Sequence, residues 1–429
     1  MSRTFTVIAS TFLLACDSGS DPRPRNTLTL AMRLDGGLEG MVSIDPPGVD
    51  CLEPLCSVSF EPGTTVTLTA DPEGGRFIRW GGACTGTALT CTVNIAVDQQ
   101  VEAVFLTANY VFVTSTLHAP DLGGLAQADA LCQARADAAA LPGTYKAWLS
   151  TSAVHARDRL GSARGWVRTD GNPFGDSVQT LLDGQVFYPP WLDERGAMAF
   201  GMAFTGTDAE GRSNGLDCAG WTSTSASESV ILGDPSGGAR TWTASGGTTC
   251  DNEARLLCLG TDAVAPVAPT PVAGRMAFVT VGMRTGDAGL AGLDALCASE
   301  ATAAGLPGSY LAAVATSTHS MAARFDAAGG PWVRHDGVAV TASGDLSLGP
   351  LAPIDLHADG TPSAEPIAWV GQFAPQVVGT ADRTCLDWST ASAAAGGWPG
   401  AIGSASQWLN WGPTSLPCDQ AHPVFCLQE

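Results

Sequence analysis

Four cysteines that occur twice at the same spacing restrict this chain more than any other feature. Cys132, Cys218, Cys250 and Cys258 recur as Cys297, Cys385, Cys418 and Cys426, shifted by 165, 167, 168 and 168 residues. A spacing held this closely over so long a stretch marks a tandem duplication. Other strings travel with the cysteines. Tyr110-Val-Phe-Val-Thr114 matches Met276-Ala-Phe-Val-Thr280, "GGLAQADALC" matches "AGLAGLDALC", "LPGTYKAWLSTS" matches "LPGSYLAAVATS", and "GWVRTDG" matches "PWVRHDG". Between the copies, residues 261–274 read "TDAVAPVAPTPVAG", whose prolines and alanines predict a semi-extended linker.

Within each copy the apolar pattern changes period. Val111 and Val113 alternate as in a strand, whereas Leu125, Ala128, Leu131, Cys132 and Arg135 follow helical spacing until Leu141-Pro142-Gly143 stops the helix. The first cysteine of each set therefore lies on a helix. The last lies in a terminal apolar strand, Leu256 to Leu259 or Val424 to Leu427. Four cysteines allow three pairings, and spacing alone does not choose among them. A third set, Cys51, Cys56, Cys84 and Cys91, precedes the duplication, and Cys16 is the thirteenth cysteine. An even number in each segment is the mark of a disulfide framework in an exported chain. A zinc site is usually marked by close Cys-x-x-Cys pairs, and the sequence has none.

The beginning of the chain agrees with export. Arg3 precedes an apolar run from Phe5 to Ala15, the charged and hydrophobic regions of a signal peptide too short to span a bilayer. Leu13-Leu14-Ala15-Cys16 resembles a bacterial lipobox, which implies cleavage before Cys16 and lipidation of its thiol. Residues 1–16 are thus expected to be a lipoprotein signal and 17–26 a polar, Pro-containing tether. The expected location is a membrane-anchored lipoprotein facing the periplasm or the cell surface, and the membrane itself is one expected partner. The formal net charge is −21, and Lys146 is the single lysine among 21 basic residues, which argues against a nucleic-acid partner.

The copies resemble the C-type lectin fold, and the first is most similar to its endostatin-like branch, the C-terminal domain of collagens XV and XVIII. The resemblance rests on "ALCQARADAAALPGTYKAWLST", "FTGTDAEGRSNGLDCAGWTS" and "TTCDNEARLLCL" in residues 108–260, and on the two ends and "VVGTADRTCLDWST" in residues 275–429. It implies that first pairs with fourth and second with third: Cys132–Cys258, Cys218–Cys250, Cys297–Cys426 and Cys385–Cys418. Residues 27–107 resemble the divergent internalin B-type repeat of bacterial surface proteins, through "GTTVTLTADP", "FIRWGGACTG" and "CTVNIAVDQQVEAVF". Proximity and that family's habit pair Cys51 with Cys56 and Cys84 with Cys91. The expected fold class is α+β: a small β-rich, β-grasp-like domain followed by two tandem lectin-like domains.

The lectin family's calcium-dependent sugar site requires a Glu-Pro-Asn or Gln-Pro-Asp triplet and a Trp-Asn-Asp triplet. Neither is present, so the hard oxygen ligands for calcium are missing from those positions. One acidic loop, with Asp208, Glu210, Asn214 and Asp217, is a weak metal candidate; its spacing does not match an EF-hand, and a solvated turn explains it more simply. The candidate binding loops carry tryptophans: Trp221 and Trp242 in the first copy, Trp388, Trp408 and Trp411 in the second. Exposed on one face, such rings would stack on sugars or protein partners; buried, they would favour a structural role. No catalytic group is expected. "GDPSGG", Gly233 to Gly238, has Pro235 inserted into what would be a trypsin-like nucleophile motif, and the six histidines are scattered. The expectation is a non-catalytic, calcium-independent recognition or adhesion lipoprotein without a cofactor, its ligand an unidentified glycan or protein. The alternative is a structural envelope component without a discrete ligand.

Overall fold

The computed structural model describes residues 24–35, 40–72, 76–106, 108–239, 241–412 and 414–429. The signal segment 1–16, the lipidation site Cys16 and the tether up to residue 23 lie outside the described residues. The chain is mixed α+β with several sheets. It divides into two compact units: the described residues of Met1–Arg33, Met41–Asp71 and Arg79–Ala103 form one, and those of Leu34–Gly40, Pro72–Ile78 and Val104–Glu429 the other.

The N-terminal segment builds eight strands, β1 (Asn26–Asp35), β2 (Met41–Asp45), β3 (Val49–Cys51), β4 (Leu55–Phe60), β5 (Thr64–Asp71), β6 (Arg76–Gly82), β7 (Thr90–Ile95) and β8 (Gln99–Leu106). They form two four-stranded sheets, ordered β4-β1-β8-β6 and β3-β2-β5-β7. The alternation of β5 explains its sheet. Val66, Leu68 and Ala70 are buried while Thr65 and Thr69 are exposed, and Val66 lies opposite Val93 of β7. Cys51 of one sheet is bonded to Cys56 of the other, and Cys84 to Cys91. The segment is β-rich as expected, but its described residues contain no helix. Its apolar runs keep period two throughout, so the helix-covered single sheet of a β-grasp does not form.

In the first repeat, the strand Asn109–Val113 pairs antiparallel with the terminal strand Arg255–Gly260, Phe112 facing Cys258. In the second, Arg275–Val279 pairs with Phe425–Gln428, Phe278 facing Cys426. On the other side of each terminal strand lies a short strand, Tyr145–Ala147 or Tyr310–Ala312. Side chains alternate across these strands, so each repeat has two cores. Phe112 and Cys258 face the helix Leu125–Ala138, while Val111, Val113, Leu257 and Leu259 face Trp148, Trp166 and Trp242. The second repeat repeats the division: Phe278 and Cys426 face the helix Gly289–Ala303, and Ala277, Val279, Phe425 and Leu427 face Trp332, Trp398 and Trp408.

The outer cysteines sit where helix and terminal strand meet, and Cys132–Cys258 and Cys297–Cys426 are at bonding distance. The inner pairs are Cys218–Cys250 and Cys385–Cys418. These are the same pairs that the resemblance implies. Each helix is fastened by a second device that the sequence reading did not identify. Arg159 grips both oxygens of Asp129 at 2.7 Å, and Arg324 grips those of Asp294 at 2.7 Å. The same carboxylates accept the N–H of Ala147 and of Ala312, which ties helix, strand and loop at one point. The linker 261–274 has no regular secondary structure. It lies against both repeats, with the Asn109 amide donating to the Ala263 carbonyl and the Val272 N–H donating to the Gly337 carbonyl.

Candidate functional site

The tryptophans named from the sequence do not form a binding face. Trp221, Trp242 and Trp388 are fully buried, Trp408 is buried, and Trp411 alone is exposed, at 46%. Two of the indoles also have internal partners: Trp221 Nε1 donates to the Ser150 carbonyl at 2.8 Å and Trp388 Nε1 to the Ala315 carbonyl at 2.9 Å. Large rings gain more by filling the two cores than by facing water, even at Trp242, whose buried indole N–H has no partner among the described residues. Of the two outcomes that the sequence leaves open for these rings, burial is the one found for Trp221, Trp242, Trp388 and Trp408, and exposure for Trp411.

The acidic loop is a turn that uses its own oxygens. Asp208 Oδ1 accepts the N–H groups of Glu210 and Arg212, Asn214 Oδ1 that of Leu216, and Asp217 those of Gly220 and Ser152. Glu210 lies on the exposed outer edge. Asp208, Asn214 and Asp217 are thus aimed at the backbone rather than at a common point, and among the described residues no group of three His, Cys, Asp or Glu side chains could hold a metal.

A site does form where the two repeats meet. The turn in "GDPSGG" pairs with the second repeat, Gly237 bridging to Ser404, and Ser236 stands 168 residues before Ser404. That is the offset of the last two cysteine pairs, so equivalent turns of the two copies face each other. The contact is polar and closed. Asp234 Oδ1 accepts the Ser236 N–H and hydroxyl, its Oδ2 accepts the Ser404 hydroxyl at 2.7 Å, and Ser236 Oγ also meets Ser404 Oγ at 3.0 Å and Ser406 Oγ at 2.7 Å. The backbone adds Ala405 N–H to the Ser236 carbonyl and Gly238 N–H to the Gly403 carbonyl. Buried hydroxyls and a carboxylate satisfied in this way hold one register of the two turns.

A second contact fastens the same seam. Arg334 is buried and donates to the Val186 carbonyl of the first repeat at 2.7 Å, to Asp355 at 2.8 Å and to Asp336 at 2.6 Å. Tyr188 of the first repeat packs on Val338, Ala339 and Ala352, and its hydroxyl accepts the Ala339 N–H.

Two cavities flank the seam, and they are counterparts. Val113 N–H donates to the Leu192 carbonyl just as Val279 N–H donates to the Leu356 carbonyl; Ala199 N–H donates to the Trp191 carbonyl just as Ser363 N–H donates to that of Asp355. Asp355 thus takes the place of Trp191. On the first-repeat side, Trp191 and Met198 to Met202 line a space of about 60 Å³. On the second-repeat side, Asp355 and Pro362 to Pro366 line one of about 480 Å³. Replacing an indole by a carboxylate has left one cavity nearly filled and the other open.

The open cavity is acidic. Asp183, Asp234, Asp355 and Glu365 line it, Trp411 stands at it, and no basic side chain is among its described lining residues. Asp355 is 2% exposed, and its Oδ2 has no hydrogen-bond partner. Burial pushes its carboxyl up to about 6, although Arg334 pulls in the opposite direction. Gly238 lies directly against that oxygen, and a β-carbon there would collide with it. Two details of the sequence, not used above, could have led here: serine turns separated by the cysteine offset, and "PPWL" aligned with "PIDL". Compared with known proteins, the chain matches no family model and no curated sequence.

Proposed function

We propose that the chain is a non-catalytic, exported and lipid-anchored recognition protein with two lectin-like domains, and that its ligand seat is the open cavity between them. One observation carries this reading. The cavity has the volume of a small-molecule site, is built by both repeats, and is lined by four acidic residues, Asp183, Asp234, Asp355 and Glu365, with no basic side chain among its described lining residues. Its chemistry favours binding over reaction. The seam hydroxyl of Ser236 is held by Asp234 and two other serines, and no histidine is among the lining residues to act as its base. A calcium-independent mode fits as well, because Asp208, Asn214 and Asp217 of the acidic loop spend oxygens on backbone N–H groups.

The buried tryptophans favour the second reading, a structural envelope component, since they remove the aromatic face that recognition would use. The test compares the wild-type chain with Asp355→Trp, which rebuilds on the open side the residue that fills the other cavity. Both are applied to a glycan array and used to capture partners from envelope extracts. Recognition through the cavity predicts ligands bound by the wild type and lost by the variant. Identical profiles would reject the cavity as the seat, and empty profiles for both would favour the structural reading.

A further inference from the structure

We infer that Asn214 is a site of covalent modification by the chain itself: the main-chain nitrogen of Gly215 displaces the side-chain amide, which converts residue 214 to aspartate and isoaspartate with loss of ammonia. This goes beyond the proposed ligand seat and does not depend on it.

The sequence supplies the reactants. Of the seven asparagines, Asn214 alone is followed by glycine; Asn172 precedes Pro173, whose nitrogen has no proton to lose, and the others precede residues with larger side chains. Asn214 and Gly215 are both exposed. Gly215 has φ +84°, and a β-carbon there would meet nothing within 4 Å. The attacking nitrogen is therefore approached freely, in a left-handed conformation that glycine adopts without strain.

The turn adds two hydrogen bonds where the reaction needs them. The Gly215 N–H donates to Ser213 Oγ at 3.1 Å, so the proton that leaves the nucleophile already faces an acceptor. Asn214 Oδ1 accepts the Leu216 N–H at 3.1 Å, so a main-chain donor sits at the oxygen on which negative charge develops. A side chain bonded to the N–H two residues on also lies alongside the intervening peptide, which keeps Cγ of Asn214 near the Gly215 nitrogen. Ser213 is itself held, its N–H donating to Nδ1 of His155 at 3.0 Å.

The chemistry balances with solvent water alone. The Gly215 nitrogen gives up its proton and bonds to Cγ, the bond from Cγ to Nδ2 breaks, and Nδ2 leaves with that proton as ammonia, so a succinimide ring remains. Water attacking the ring at Cγ restores the ordinary chain with aspartate at 214. Water attacking at the main-chain carbonyl gives isoaspartate, whose main chain is one atom longer. Nothing is oxidised or reduced. Either product adds a negative charge to a loop that already carries Asp208, Glu210 and Asp217. The longer chain comes just before Asp217, whose carboxylate accepts the N–H groups of Gly220 and Ser152, and should loosen that anchor.

The experiment is timed peptide mapping of the full chain in detergent, folded and with its disulfides intact, held in mildly alkaline buffer and digested in acid. Residue 214 should be recovered increasingly as aspartate and isoaspartate, while Asn252, equally exposed but followed by Glu253, converts at least about tenfold more slowly. Gly215→Ala should slow residue 214 by a similar factor. Should its positive φ disturb the turn, Asn214→Gln is the second variant, since its attack must close a six-membered ring, and it should stay an amide. Ser213→Ala should slow conversion severalfold and Ser213→Thr, which restores the hydroxyl, should recover it; equal rates in all three overturn the part given to Ser213. The reduced, denatured chain lacks both hydrogen bonds, so the folded chain should convert at least as fast. Asn214 that persists in the folded chain while it converts in the denatured one overturns the inference, and so does conversion of Asn252 at the same rate.

Discussion

Replacing Asp355 by asparagine should change how the stability of the second repeat depends on pH. Burial raises the Asp355 carboxyl from an ordinary 3.8 to about 6, against the pull of Arg334. A group that holds its proton more tightly in the folded chain stabilises the fold while protonated. That contribution is complete below the unfolded value, about 4, and is lost as pH rises through about 6. Roughly two pH units at about 1.4 kcal/mol each make a contribution of about 3 kcal/mol. For a cooperative unit of about 150 residues, this corresponds to about 6–12 °C in melting temperature. Carboxylates such as Asp170, held low by the hydrogen-bonded Arg168 despite its own burial, titrate with the opposite sign but are common to both proteins. The difference between wild type and variant therefore isolates Asp355. Scanning calorimetry at about pH 4 and about pH 7.5 should show the asparagine variant gaining about 2 kcal/mol on the wild type between the two. An unchanged difference would refute the view of Asp355 as a buried, incompletely compensated carboxylate.

Removing the outer bridge Cys132–Cys258, which spans 126 residues, should cost about 5 kcal/mol, and the inner Cys218–Cys250, which spans 32, about 4, if loop entropy dominates. Paired Cys→Ala variants followed by thermal unfolding measure the order, and a larger loss from the inner bridge would contradict it. Gly400→Ala should destabilise by about 2–3 kcal/mol, because a β-carbon there would collide with the Trp408 carbonyl oxygen. Gly233→Ala should do the same against Trp242 in the first repeat, and neutral variants would show those contacts to be looser than described. Calcium should leave the melting temperature unchanged and chelator should not lower it; a bound ion at a hundred times its dissociation constant would add about 2.7 kcal/mol and be seen.

Much of the fold was legible because covalent and periodic features survive in sequence. The offset of the cysteines exposed the duplication, and the change of period between Val113 and Leu125 placed a strand before a helix, as observed. Val66, Leu68 and Ala70 likewise announced a half-buried strand. The tryptophans were not legible. Trp221, Trp242 and Trp388 stand in stretches rich in glycine, serine and threonine without a repeating period, so nothing local tells a core ring from a surface ring. The seam was hidden for a different reason: it joins turns some 168 residues apart that have no regular secondary structure, and only their positions relative to the cysteines connect them. The role of Asp355 emerges only when its neighbours identify it as the counterpart of Trp191, since an acidic residue in a loop ordinarily faces water.

Both the cavity and the charge within it depend on the two repeats meeting through the turns at Ser236 and Ser404. Their hydroxyl oxygens are 3.0 Å apart, close enough for cysteines in the same places to form a bridge with limited adjustment. The chain carrying Ser236→Cys and Ser404→Cys, expressed with export to an oxidising compartment, should therefore gain a disulfide joining the repeats beside its six native ones. Peptide mapping without reduction should recover residues 236 and 404 in one linked fragment. If both new thiols are instead found free and alkylated while the native pairs are intact, the repeats do not meet at these turns, and the seam and its cavity are wrong.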